Sequence, residues 1–271
     1  MMTDSATIAR LAGFLGGLVL FALAEAAAPR RVRRFPRRRR WPTNLLMPAL
    51  GSLLTTAARF GGPLTAVTAA AWASRLDISL LARLALPPFW ATLLAIVILD
   101  LAIYWQHRAF HRIGWLWRLH RVHHADPELD VTTGVRFHPL EYLLSAFWKA
   151  AVVIAIGASV EAVVLFELLL NLLSLFNHAN WRLPTALDRL LRHVLVTPDF
   201  HAVHHSQEPD EHHRNFGFNL AWWDYIFATY RARPRKEIAG MDIGLAAVPP
   251  LRAIRPGPAL ALPLAPPPAR E

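Results

Sequence analysis

Apolar runs close to the roughly 20 residues a helix needs to cross a bilayer recur along the chain. Short segments crowded with histidine and arginine separate them. Leu11 to Ala28 is the first run, too near the N-terminus for a basic leader region, and it reads as a retained anchor. The stretch from Pro42 to about Trp72 is broken by Gly61-Gly62-Pro63, which predicts one span followed by an interfacial or re-entrant piece. Pro87 to Tyr104 is the next span. Tyr142 to Phe176 is interrupted by Gly157-Ala158-Ser159 and predicts two tightly joined spans of about 17 residues each. The expected fold is all-α, a transmembrane helical bundle of about four to five spans.

Charge sets the orientation. The net charge is +10, mostly arginine, and Arg30 to Arg40 (RRVRRFPRRRR) directly follows the first span. A short basic loop beside a span stays in the cytoplasm and is expected to attract anionic headgroups. Nucleic acid is the competing partner of a basic run, but a cluster pinned against a membrane anchor is poorly placed for it, and none is expected. With that loop inside, the third span ends inside near His107, and both ends of the hairpin, near His138 and His178, lie inside too. Every histidine-rich segment then shares the cytosolic face and forms a helical cap there.

Ten of the 13 histidines fall into four short clusters, and the chain has no cysteine. Imidazole and carboxylate are therefore the available metal ligands. His107 and His111 are four apart and share a helix face. His120-Arg-Val-His123-His124 converges three imidazoles on one face, and His201-Ala-Val-His204-His205 repeats that geometry. His178 comes back to the same face at the end of the hairpin and is a further ligand candidate. Eight or nine imidazoles exceed what one ion accepts, so the pattern predicts a dinuclear site, and imidazole suits iron, zinc and copper alike.

The remaining histidines read differently. His138, ahead of the outgoing hairpin leg, is assigned a supporting or structural role. His193 lies in an amphipathic stretch, Thr185–Val196, opened by a Thr185/Asp188 capping pattern and expected on the membrane surface with His193 solvated. His212 and His213 are expected in an exposed polar loop, from which either could approach the site.

The boxes His107-x3-His111, His120-x2-His123-His124 and His201-x2-His204-His205 resemble the fatty acid hydroxylase / sterol desaturase superfamily of integral membrane proteins. The resemblance extends to Asp100…Tyr104-Trp105, Leu116-Trp117-x2-His120, His138-Pro139-x-Glu141, Phe176-x-His178-Ala-Asn180, Thr197-Pro198-Asp199-x-His201 and Asn215-Phe-Gly217…Trp223-Asp224. It covers about 87–231. Ala228 stands where that family commonly has glycine.

The resemblance implies a non-haem di-iron centre with O2 as co-substrate, oxidising a C–H bond of a membrane lipid such as a sterol or fatty acyl chain. Zinc is the alternative metal. His107, His111, His120, His123, His124, His178, His201, His204 and His205 would be the ligands. Asp100, Asp126, Glu141, Asp199 and Asp224 are expected to accept imidazole N–H groups, with Asp100 foremost because a carboxylate at membrane depth needs a partner. His138 and Asn215 complete the supporting set. Trp105, Trp115, Trp117, Trp222 and Trp223 are assigned to the membrane interface rather than to a substrate tunnel.

The implied organisation is an anchor span and basic loop (1–41), a second span and interfacial segment (42–86), a catalytic domain including the 142–176 hairpin (87–231), and a Pro/Ala-rich tail expected to lack structure (232–271). No G-x-G-x-x-G fingerprint or haem-binding segment is present. Electrons are therefore expected from a separate ferredoxin- or cytochrome-type donor docking near Arg189, Arg192 and Arg231. Arginine over lysine and abundant alanine fit a GC-rich bacterial genome and hence an inner membrane. Competing functions are a zinc-dependent membrane hydrolase and a metal-binding or transport protein. Transport would place ligands inside the spans; here they lie beyond the span ends.

Overall fold

A computed structural model describes residues 2–58, 65–75 and 79–265. Among them, regular structure is helical throughout, with only single-residue bridges in place of strands. The helices are α1 (Met2–Ala27), α2 (Arg37–Ala58), α3 (Ala66–Arg75), α4 (Leu80–Arg83), α5 (Pro88–Arg112), α6 (Gly114–His124), α7 (Pro139–Ile156) and α8 (Val160–Asn177). Six short ones follow: α9 (Thr185–Leu191), α10 (Pro198–His204), α11 (Pro209–His212), α12 (Trp222–Ile226), α13 (Pro250–Ala253) and α14 (Pro256–Leu260).

Four of these, α1 from Arg10, α5, α7 and α8, are long and apolar enough to cross a membrane. Leu11, Leu15, Val19 and Leu23, four apart on α1, are 49–63% exposed, a stripe that finds an apolar surrounding only in lipid. On another face Gly13 and Gly17 lie against α8, where added Cβ atoms would stand 2.4 Å from Leu168 and 2.6 Å from Leu172. Glycines four apart let two membrane helices approach closely.

The α7–α8 turn falls where Gly157-Ala158-Ser159 placed it. Gly157 takes φ +65° as the C-cap of α7, and the Ser159 hydroxyl accepts from Ala162 N–H to cap α8. At its other end α7 begins with Pro139 behind His138, whose Nδ1 accepts from Leu140 N–H. Residues 138 and 178 thus lie at the same end of the hairpin.

The second predicted span is replaced by two pieces. α2 starts at the histidine end, where Arg40 binds Asp126, and carries Pro42 and Pro48 inside it. Its Gly51 packs on Tyr142 near the start of α7. α3 packs on α7 and α8, and Ser79 reaches Gly157 at the far turn. α2 and α3 together span the length of α7. The Gly61-Gly62-Pro63 break lies outside the described residues.

Two expectations are corrected. The loop 30–40 is folded onto the cap instead of lying free against headgroups. Arg30 pairs with Asp199, Arg31 donates to Ile238 and Met241 carbonyls, Arg33 and Arg37 pair with Glu25, and Arg40 is fully buried; Arg34, Arg38 and Arg39 remain exposed. The segment from 232 is packed through residue 265. Ile238, Met241 and Ile243 cover Leu129 and Ala202, while Leu245, Val248, Ala253, Ala259 and Leu262 cover Met47, Trp117 and Val122. Its apolar residues follow no helical or strand period because the path is irregular, yet enough of them point one way to seal α6. Residues 266–271 lie outside the described set.

Candidate metal centre

α5 has 25 residues, about 37 Å at 1.5 Å per residue, and overruns a hydrocarbon core of roughly 30 Å. Its last turns therefore carry His107 and His111 beyond the span without a break in the helix. α6 follows at once and supplies His120, His123 and His124; the end of α8 supplies His178; α10, opened by Thr197 and Pro198, supplies His201, His204 and His205.

The nine imidazoles come together in two groups, His107, His111, His120, His124 and His204 in one, His123, His178, His201 and His205 in the other. Within each group the ligand atoms lie within 4.8 Å of one another, and none of the nine residues is more than 6% exposed. The groups abut, with ring centroids of His124 and His205 4.5 Å apart and those of His123 and His124 5.1 Å apart.

Four rings have their tautomer set from outside. The Nδ1 atoms of His107, His178 and His204 each lie 2.8 Å from a carbonyl, of Phe216, Ser174 and Arg214 respectively. Since a carbonyl only accepts, Nδ1 carries the hydrogen and Nε2 points its lone pair inward. His120 donates from Nδ1 to Glu141 at 2.7 Å, leaving its Nε2 bare. Inside, Nε2 of His178 stands 3.2 Å from that of His123 and 3.1 Å from that of His201, and Nε2 of His204 stands 3.1 Å from that of His124. Nitrogens about 2.1 Å from a shared ion and at right angles around it are about 3 Å apart. The Nε2 atoms of His107, His111, His120 and His205 are buried without a partner among the described residues. Converging lone pairs and orphaned nitrogens in two groups suit metal ions.

Burial also keeps the rings neutral. Desolvation pushes His120 and His178 down to about 3. The same cause, with neighbouring imidazoles, holds His123, His124, His201, His204 and His205 well below the ordinary histidine range. Neutral imidazole is the form that binds metal.

The expected carboxylate partners divide. Glu141 does hold His120. Asp100 instead accepts from the Trp223 indole at 2.8 Å and from Leu220 N–H, so its membrane depth is offset by the α12 region and not by a ligand. Asp224 accepts from Phe216 N–H, Gly217 N–H and Thr229; it shapes the loop whose Phe216 carbonyl orients His107. Asp199 pairs with Arg30, and Asp126 with Arg40, Asn44 and Thr133. Asn215, at φ +55°, ties its loop to Phe200 and Arg231 and so steadies the Arg214 carbonyl behind His204. His138 caps α7. Ala228 has φ +54°, the left-handed region in which glycine is unstrained, which accounts for the family's preference there.

His193 is exposed, as expected. The Thr185 cap is not formed, since Pro184 precedes α9 with no side-chain cap, and Asp188 accepts from Thr197 instead. His212 is buried where exposure was expected, and it does approach the site. It is 6% exposed, its ring centroid is 4.5 Å from that of His124 and 4.9 Å from that of His111, and burial pushes it down to about 3. No spacing rule links it to the boxes; the chain reaches it by turning back through α11. Trp105, Trp115 and Trp222 are exposed, whereas Trp117 packs between His111 and His212.

Beside the histidines a cavity of about 150 Å³ opens among α5, α7 and α8. His107, His120 and Glu141 line one end of it; Ile103, Phe110, Val135, Phe137, Leu170 and Phe218 make its walls largely apolar.

The fatty acid hydroxylase family profile matches residues 92–229. The chain is 30% identical over 154 residues to alkylglycerol monooxygenase of Homo sapiens, covering 56% of this chain and 33% of that protein. It is 29% identical over 159 residues to the ornithine lipid hydroxylase OlsE of Rhizobium tropici, covering 59% and 46%. With very-long-chain aldehyde decarbonylase GL1-7 of Oryza sativa subsp. japonica it shares 28% over 170 residues, 57% of this chain and 26% of the other. The chain thus spans less than half the length of each of these relatives. No solved structure matches it. With the histidine groups at the ends of membrane-type helices and the profile matched over half its length, the chain belongs to the fatty acid hydroxylase family, within the fatty acid hydroxylase / sterol desaturase superfamily.

Proposed function

We propose that this protein is a membrane-bound hydroxylase, desaturase or monooxygenase that uses two irons, O2 and electrons from a separate donor to oxidise a C–H bond of a lipid such as a sterol or fatty acyl chain. The observation that carries this reading is the abutment of two all-imidazole groups on an apolar cavity among membrane-type helices. Relatives named as an alkylglycerol monooxygenase and an ornithine lipid hydroxylase support it.

His107, His111, His120, His124 and His204 would hold one iron and His123, His178, His201 and His205 the other. The irons would supply redox chemistry that activates O2. The protein's own part is positional: three carbonyls and Glu141 fix the ring tautomers, and burial excludes water. The cavity walls hold a carbon chain against His107 and His120. His212, beside the five-histidine group, is assigned to the same site.

The histidine end would then lie in the cytoplasm of a bacterial inner membrane, with Arg30–Arg40 at that end as support. The donor would dock on the cap. Arg192 and Arg231 there are already paired with Asp188 and with Asp210 and Glu211, leaving Arg189 the more open cation of the three.

The test is turnover of iron-loaded protein in lipid nanodiscs, with a chemical reductant, a ferredoxin and ¹⁸O₂, against sterol, fatty acyl and ether lipids. A lipid product that gains one ¹⁸O atom, or loses two hydrogens, only when O2 and reductant are both present is expected. Absence of any O2-dependent product across the panel would overturn the reading.

A further inference from the structure

The cavity that meets the histidines is not wholly apolar. Lys149 of α7 and Asn171 of α8 line it further along, with Gln106 and Ser145 between. Lys149 is ten residues beyond Pro139, about 15 Å along the helix and near the middle of a hydrocarbon core of roughly 30 Å. Its ammonium binds Glu167 Oε1 at 3.0 Å, and Arg10 binds Glu167 Oε2 at 2.8 Å. All three residues belong to stretches apolar enough to cross a membrane.

Two cations therefore share one carboxylate. A charge at this depth is costly unless paired, and charged residues inside spans face protein or a water-filled path and mark the route of a substrate. Glu167 does not itself line the cavity, and the carboxylate that does, Glu141, already accepts from His120. Lys149 is the cation with access to the cavity, and the Asn171 carboxamide, which lines it from α8, has no hydrogen-bond partner among the described residues. One negative charge, placed between an ammonium and an amide donor, would complete the set.

We propose that Lys149 and Asn171 form a subsite for a single anionic group of the lipid, a carboxylate or a phosphodiester. Lys149 is eight residues from Glu141, about 12 Å along α7. A lipid anchored there presents to His107 and His120 a carbon about that far from its charge. Glu167 holds Lys149 in place and competes with the ligand for it. The proposal names the substrate chemistry of the function proposed above, but binding at the subsite does not require turnover.

The experiment measures binding of hexadecanoate, its methyl ester and hexadecyl methyl phosphate to metal-loaded, full-length protein in uncharged detergent, by calorimetry. The anions are expected to bind at least tenfold more tightly than the ester, and the tighter of the two identifies the source of the charge. Lys149→Met should remove the preference, Lys149→Arg should keep it, and Asn171→Leu should reduce it. Glu167→Gln should widen it by removing the competing carboxylate; a purely structural ion pair predicts no gain. Metal content is measured in every variant as the check on folding. Equal binding of acid and ester by the wild type, binding of none of the three, or a preference that survives Lys149→Met would overturn the proposal, as would a preference that narrows in Glu167→Gln should Lys149→Met fail to fold. Charge-selective binding without any O2-dependent product would leave the subsite standing and remove the oxidation chemistry alone.

Discussion

At the scale of single residues, the centre depends on which nitrogen of each imidazole carries hydrogen. Among the described residues, Glu141 is the one side-chain group outside the nine that sets this, through His120 Nδ1 at 2.7 Å. Glu141→Gln keeps the shape and removes the charge, and outer partners of this kind are worth about 10- to 100-fold in metal affinity. Competition with a chelator is expected to show a loss in that range, and an unchanged affinity would remove Glu141 from the site. Titration gives a second test. His120, His178 and His212 are held down to about 3 in the folded protein by burial, against about 6.5 unfolded. Between those values the unfolded chain binds more protons, so stability is full above about pH 6.5 and falls as pH falls. For metal-free protein the loss at pH 5 is about 2 kcal/mol per histidine, and thermal unfolding should be flat above neutrality and drop steeply below pH 6. The histidine boxes were legible because i, i+3 and i+4 spacing is a helix property. His212 was not, because α11 brings it to His124 and His111 through a turn that no spacing records.

At the scale of elements, each ligand-bearing helix end is braced by something distant in sequence. Arg40 of α2 is fully buried, meets Asp126 at 2.7 Å and Asp130 at 2.6 Å, and so fixes the loop leaving the His120–His124 box. Both acids are held below the usual carboxylate range, Asp130 at about 2; burial opposes this shift, and the Arg40 guanidinium outweighs it. Arg40→Met would strand two buried carboxylates, and breaking a buried pair costs about 3–5 kcal/mol. Loss of thermal stability together with loss of metal is expected. A variant as stable as wild type would show that the loop is held by other contacts. The sequence announced Arg30–Arg40 as a basic loop beside a span but could not reveal that five of its arginines fold inward, because Glu25, Asp126, Asp130 and Asp199 come from three other parts of the chain. The α7–α8 hairpin was legible from Gly157 and Ser159 alone, since one supplies positive φ and the other a cap.

At the scale of the whole molecule, membrane-type helices deliver their ends to one side, and the irregular C-terminal segment closes over them. Order in 249–265 escaped the sequence reading because Ala253, Ala259 and Leu262 pack singly between prolines, with no period to detect. The division of labour between apolar helices and a histidine-bearing cap was legible, because apolar length and imidazole clustering are each local. Two irons are proposed for the cap. Elemental analysis of detergent-purified protein, with Mössbauer spectroscopy after growth on iron-57, addresses this proposal most directly, in wild type and in His123→Ala. Two spin-coupled irons per chain, lost in the variant, are expected. Two zincs with no iron, however the cells are grown, would contradict the oxidation chemistry and favour a hydrolase, and no stoichiometric metal would contradict the metal centre itself.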